Sequence, residues 1–154
     1  MQLSDIIVPG AVRVMGALAS KKRLFQDLAD VVGQTYGVSV EGAFDAMQDR
    51  EALGATGVGH GVALPHARIE GLEHVVGVFV RLEKPLDFDA IDRLPVDLIF
   101  ALYAPVESGV DHLKALAMVS RMLRSSETCA RLRANSDPQA LYALLTGDQR
   151  TQAA

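Results

Sequence analysis

Two histidines, His60 and His66, stand six residues apart in the run Gly54-Ala-Thr-Gly-Val-Gly-His-Gly-Val-Ala-Leu-Pro-His-Ala-Arg68, which also holds four glycines and one proline. Glycine is used where the backbone must take positive φ or approach something closely, at an entropic cost that ordinary connections avoid, so this stretch reads as a binding loop. Gly61-Val-Ala-Leu64 is a short extended apolar run. Pro65 biases Leu64 toward an extended conformation and, lacking an N–H, ends a strand ladder. His66 is therefore expected at a strand end, beside backbone N–H groups that the glycines leave free.

Three familiar chemistries fail on spacing. A nucleotide-hydrolase phosphate loop needs Lys-Ser/Thr after its second glycine, whereas Gly59 is followed by His60-Gly61. The dinucleotide fingerprint follows a strand, while Gly57-Val-Gly59-His-Gly61 precedes one and has the wrong last interval. His60 and His66 are able to share a strand face, but no cysteine or acidic residue nearby completes a metal-ligand set. Neither a metal nor a cofactor is expected. What remains is a histidine with Arg50 and Arg68 close in sequence and a nest of amide donors, a setting suited to an oxyanion. A neutral imidazole is a competent nucleophile near neutral pH and can carry a phosphoryl group as a phosphoramidate. Phosphoryl transfer asks mainly for alignment and charge stabilisation, which such a set supplies without nucleotide machinery.

The flanking segments must position this loop. Val12-Arg-Val14 suits a short strand. Ser20 suits the N-cap of a helix ended by Gly37, with Leu24, Leu28, Val31 and Val32 on one face. Ser39 suits the cap of a second helix to about Glu51, turning Phe44 and Met47 inward and delivering Arg50 beside the glycine loop. Val75–Leu82 and Val96–Tyr103 read as inner strands, joined through turns at Lys84-Pro-Leu-Asp87 and a polar loop. Ser108-Gly-Val-Asp111 resembles a capping box for a helix to about Arg124, with Leu113, Leu116, Ala117 and Leu123 as its apolar face and His112 in its first turn. A short helix over Glu127–Ala134 follows, then one from Pro138 to Gly147. The expectation is a single α/β domain over residues 1–147, a small mixed β-sheet flanked by helices on both faces, with 148–154 a flexible tail.

Composition narrows the function. At 154 residues with 49% hydrophobic and 22% charged side chains, the chain can bury one core without metals or disulfides. Net charge −4 and a pI near 5.5 argue against a nucleic-acid footprint. The lone Cys129 reads as a small buried hydrophobe in a reducing, cytoplasmic setting, and no apolar run approaches a membrane span. Arg121, Arg124, Arg131 and Arg133 form a basic cluster read as solvated surface, and His74 reads as structural.

The run Thr56-Gly-Val-Gly-His-Gly-Val-Ala-Leu-Pro-His66 resembles the phosphorylation-site signature of the mannitol/fructose-type enzyme IIA domains of the bacterial phosphoenolpyruvate-dependent phosphotransferase system. Val75–Leu82, Phe88-Asp-Ala-Ile91, Pro95–Leu102 and Asp111-His-Leu-Lys114 are similar, in order and spacing, to the nitrogen-regulatory member of that family, so the likeness covers about Leu3 to Leu145. Two positions depart from it: His60 stands where asparagine is expected and Ala67 where glycine is usual. The resemblance implies the family's IIA fold, with His66 as phosphoryl acceptor, His112 as the second site histidine and Arg50 as the site arginine. It implies an HPr-like histidine phosphocarrier protein as donor and regulated proteins such as transporters or sensor kinases as targets. That is a phosphotransferase component acting as a regulator rather than a metabolic enzyme. The alternative is a IIA component of a fructose/mannitol-type uptake relay passing phosphate to a IIB domain. The contributions of His60 and Arg68, and the imidazole nitrogen that is modified, stay open at this level.

Overall fold

Strand and helix signals alternate along the chain much as their periodicities require. The computed structural model describes the backbone of residues 1–153 and the side chains of residues 1–147, so the tail expected at 148–154 lies outside the fully described residues. After two 3-10 turns, Leu3–Asp5 and Pro9–Ala11, come β1 (Val12–Met15), α1 (Lys21–Tyr36), α2 (Val40–Leu53), β2 (Gly57–Gly59), β3 (Val62–Ala63), β4 (His66–Ile69), β5 (Val76–Leu86), β6 (Val96–Pro105), α3 (Val110–Leu123), α4 (Ser126–Arg133) and α5 (Pro138–Ala153). Ser20 caps α1 by accepting from the Arg23 N–H, and Gly37 closes it at φ 74°, a left-handed conformation that costs glycine little. Ser39 caps α2 in the same way, accepting from Gly42.

The sheet is mixed, in the order β1-β5-β6-β3-β2, with β4 on the same side of β6 as β3. β5 and β6 are antiparallel and central, and β1 lies parallel to β5. Val78, Phe79 and Val80 in succession, and Leu98 through Ala104, are all fully buried, so both faces of these strands are covered. α1 packs on β5, α2 on α1 and β4, α3 on β6, and α5 on β1. The mixed α/β sheet with five helices is the architecture expected.

Four local expectations change. The turn predicted at Lys84-Pro-Leu-Asp87 is strand: β5 runs through Leu86, and Pro85 is tolerated because the β5–β6 register is irregular between Arg81 and Leu86, where no ladder N–H is demanded of it. Ser108 forms no capping box. α3 begins one residue later than the box requires, with Gly109 at the N-cap and no side-chain cap bond. The buried face of α3 is His112, Ala115, Val119 and Leu123, while Leu113 is 67% exposed. An apolar count put Leu113 inside because it scored the histidine as polar. α5 passes Gly147, where a stop was expected.

β3 and β4 are in effect one strand with a gap. Val62 and Ala63 pair with Leu98 and Ile99, and His66 and Ala67 pair with Leu102 and Tyr103, in the same parallel register along β6. The gap is Leu64-Pro65, where proline donates no bond, and the Leu102 N–H to Pro65 carbonyl bond of 2.9 Å carries the alignment across it. His66 thus opens a strand rather than ending one. It is fixed against the central strand β6 and follows directly from the glycine hairpin.

Candidate functional site

The hairpin β2–β3 turns on two residues, His60 and Gly61, with φ of 56° and 78°. Positive φ at both central residues is the two-residue turn that suits right-twisted strands, and it favours Asn-Gly; histidine is among the few other side chains that visit this region. His60 is therefore a turn residue. Its N–H donates to Asp92 Oδ2 at 2.8 Å, and its carbonyl accepts from Arg133 Nη2 at 2.8 Å. The bond from the His60 amide holds the Asp92 carboxyl below its usual range. Arg133 also grips Asp97, with Nε 3.0 Å from Oδ2 and Nη2 2.9 Å from Oδ1. A member of the cluster read as solvated surface is thus a clamp on the hairpin. Arg131 does pair with Glu127 at 2.8 Å, as a surface residue would.

His66 leaves this hairpin through Pro65. Its Nδ1 lies 2.9 Å from the Leu64 carbonyl oxygen. A carbonyl only accepts, so the contact requires Nδ1–H and leaves the Nε2 lone pair free. Alternation along β4 puts His66 and Arg68 on one face, with buried Ala67 and Ile69 on the other. Ala67 shows no positive φ, so the alanine costs nothing there.

His112, from the first turn of α3, meets His66 edge to face, with ring centroids 5.6 Å apart and 70° between planes. It is 6% exposed, and its Nε2 is buried with no hydrogen-bond partner. Burial first, then the neighbouring His66 and Arg68 charges, pull its pKa below the ordinary histidine value, so His112 is neutral at neutral pH. An orphaned buried polar atom on the ring that meets His66 marks a group that a further oxygen-bearing partner would satisfy.

Arg50 lies in the last turn of α2, where a cation complements the helix dipole, and its Nη1 donates to the Gly54 carbonyl at 3.1 Å. Arg50 and His66 line one cleft of about 390 Å³, walled also by Thr56, Val58, Leu64 and Ser120. His112 reaches the site through the His66 ring rather than through this wall. Of the three residues singled out in the sequence, His66 thus shares a cleft with Arg50 and a ring contact with His112. His60 and His66 do not share a cleft: His60 lines a neighbouring one of about 690 Å³ with Leu94, Arg124, Cys129 and Arg133. Cys129 forms part of that wall with its thiol donating to the Leu123 carbonyl at 3.2 Å, and burial pushes its pKa up. His74 merely bonds the Val75 carbonyl. Among the described residues no group of His, Cys, Asp or Glu is placed to hold a metal, and no helix is long and apolar enough to cross a membrane.

The profile described as phosphoenolpyruvate-dependent sugar phosphotransferase system, EIIA 2, matches residues 6–147. The chain belongs to this family. It is 42% identical over 145 residues to the nitrogen regulatory protein of Bradyrhizobium diazoefficiens, covering 94% of this chain and 95% of that one. The crystal structure of nitrogen regulatory protein IIA-Ntr from Neisseria meningitidis superposes with a TM-score of 0.84 at 33% identity, covering 92% of this chain and 97% of that one. IIA mannitol from Escherichia coli shares the fold, with a TM-score of 0.72 at 21% identity over 88% of this chain and 97% of that one. The likeness to the nitrogen-regulatory branch is therefore carried by both sequence and structure.

In this EIIA 2 chain the sequence missed the ties beneath the loop. Glu51 stood in the sequence only as the approximate end of the second helix, yet its carboxylate accepts from the Thr56 N–H at 3.0 Å, from Thr56 Oγ1 at 2.6 Å and from Lys21 Nζ at 2.9 Å. The visible signal was a glutamate at a helix end facing a threonine five residues on.

Proposed function

We propose that this chain is a phosphohistidine-carrying regulator, cytoplasmic and working within residues 1–147, which accepts a phosphoryl group on His66 from an HPr-like histidine phosphocarrier and changes its protein partners with its phosphorylation state. The observation that carries the reading is the geometry of His66: Nδ1 tied to the Leu64 carbonyl, Nε2 free, a cleft shared with Arg50, and a ring contact with His112, whose buried Nε2 has no hydrogen-bond partner. In the transfer, a P–N bond forms at His66 Nε2 as the donor's P–N bond breaks, and the electron pair of the broken bond stays on the donor nitrogen. Nδ1 keeps its proton, and the Leu64 carbonyl stabilises the positive charge that builds on the ring. Arg50 and His112 offer donors to the phosphoryl oxygens, with His112 taking up a proton once the dianion is beside it. Regulation is favoured over a sugar relay by the nitrogen regulatory relatives that match along nearly the whole chain, whereas a fructose-specific EIIA component from Haloferax volcanii matches 60% of it.

Incubation with phosphoenolpyruvate, the system's enzyme I and its histidine carrier should add one phosphoryl group, labile to acid and stable to alkali. His66→Ala should abolish it. Stoichiometric labelling of that variant would move the acceptor elsewhere and end the assignment.

A further inference from the structure

A line of hydrogen bonds runs from the end of α2 to the His66 ring, and every link is short. The Glu51 carboxylate, only 7% exposed, accepts both the amide and the hydroxyl of Thr56. The Thr56 carbonyl accepts from the Leu64 N–H at 3.0 Å. The Leu64 carbonyl, 2.9 Å from His66 Nδ1, accepts the ring's proton. Behind Glu51 stands Lys21 at the start of α1, 2.9 Å from the carboxylate and 4.7 Å above the Phe88 ring, so the carboxylate is held from α1 as well.

We propose that Glu51 is a positioning residue for phosphoryl acceptance: acting through Thr56 and Leu64, it fixes the Leu64 carbonyl that holds His66 in the Nδ1–H tautomer and aims Nε2 at the donor. The inference rests on His66 being the acceptor, but its structural part stands on the bonds alone. Leu64 precedes a proline in the gap between β3 and β4, and its own N–H bonds the hairpin side, at the Thr56 carbonyl, rather than β6. There it hangs on Thr56, and Thr56 hangs on Glu51. A buried carboxylate with two bonds to one residue fixes that residue in position and orientation, as a single neutral bond would not. Loss of the carboxylate charge frees Thr56, lets the Leu64 carbonyl drift, and allows the His66 ring to place its proton on Nε2, where it blocks the nucleophile. A misplacement of this kind costs on the order of tenfold to a hundredfold in a reaction that depends on alignment.

The test uses the full chain, with ¹⁵N NMR of the His66 ring beside single-turnover phosphoryl transfer from the phosphorylated histidine carrier. The parent should show the Nδ1–H form. Glu51→Gln and Thr56→Val should each populate the Nε2–H form and slow transfer at saturating carrier, with the carrier concentration for half-maximal rate little changed. Thr56→Ser, which keeps the hydroxyl, should restore both. A folded Glu51→Gln chain with the parent ring spectrum and rate overturns the proposal, as does Thr56→Val behaving like Thr56→Ser. If the parent takes up no phosphoryl group at all, the acceptor assignment fails, and the ring spectra still decide whether Glu51 sets the tautomer.

Discussion

His112 is the residue whose chemistry depends most on what stands next to it. In the unmodified protein its proton is disfavoured, by burial and then by the neighbouring His66 and Arg68 charges. The unfolded chain, with histidine near its ordinary value of about 6.5, therefore binds more protons than the folded chain as pH falls through that value. Stability contributed by neutral His112 is fully present above about 6.5 and is lost on descending toward its depressed folded value. His112→Gln should flatten this slope in urea unfolding measured across the window. A slope unchanged by the substitution would assign the pH dependence to another group. Phosphorylation of His66 puts negative charge beside His112, so in the modified chain His112 should titrate higher than in the unmodified one, a shift visible in its ring proton resonances.

Arg50 permits a sharper comparison. Its guanidinium already spends one donor on the Gly54 carbonyl, and the residue lines the cleft that His66 also lines. A lysine keeps the charge but cannot serve loop and phosphoryl oxygens together from a planar fork. Arg50→Lys should therefore transfer phosphate more slowly than the parent and faster than Arg50→Ala, whose loss should not exceed the roughly 2.7–4 kcal/mol typical of one oxyanion donor, because this cleft is open. Transfer by Arg50→Ala at the parent rate would remove Arg50 from the site and leave His66 in place.

At the scale of elements, the hairpin β2–β3 is the device that turns a sequence of glycines into a site. Its turn is held by Asp92 through the His60 amide and by Arg133 through the His60 carbonyl. Gly61 has no room for a side chain: a Cβ there would lie 2.5 Å from Arg133 Nη2 and 3.0 Å from Asp97 Oδ1, at a φ of 78°. Gly61→Ala should destabilise the chain by about 1–3 kcal/mol, from the left-handed backbone and the displaced clamp together. Urea unfolding reads this directly, and a change near zero would mean that the clamp yields freely. Elements whose signals are local were legible in the sequence. Ser20, Gly37 and Ser39 delimit α1 and α2 because a cap is settled within a few residues. The buried face of α3 was misread because the residue that anchors it is a histidine, scored as polar yet buried beside another histidine. Pro85 was misread as a turn because a strand irregularity leaves no mark of its own in the sequence. The Arg133–Asp97 clamp and the Lys21–Glu51 pair join residues distant in the chain, which periodicity does not reach.

Across the whole molecule, the site rests on parts with little freedom to move. His66 is registered against fully buried Leu102 of a central strand, His112 is on the buried face of a helix packed on that same strand, and Arg50 ends a helix packed on β4. Among the described residues, the His66 cleft is walled by the end of α2, the hairpin with its flanking residues, β4 and α3. A phosphoryl group brings about 1.5 to 2 negative charges at neutral pH, to a chain whose net charge is −4. Under the proposed function the switch is one of surface potential: a phosphoryl group on His66 should turn the surface near Arg50 and Arg68 from cationic toward anionic and disfavour acidic partner surfaces. Phosphorylation should leave the backbone in place. In ¹H–¹⁵N spectra of the two forms, shifts should be confined to residues near the cleft, the end of α2, the hairpin, β4 and the first half of α3, and amide exchange in β1 and α5 should be unchanged. Shifts spreading through β1 and α5 would show that the core itself rearranges, and partner choice would then have to be explained by a conformational change rather than by charge.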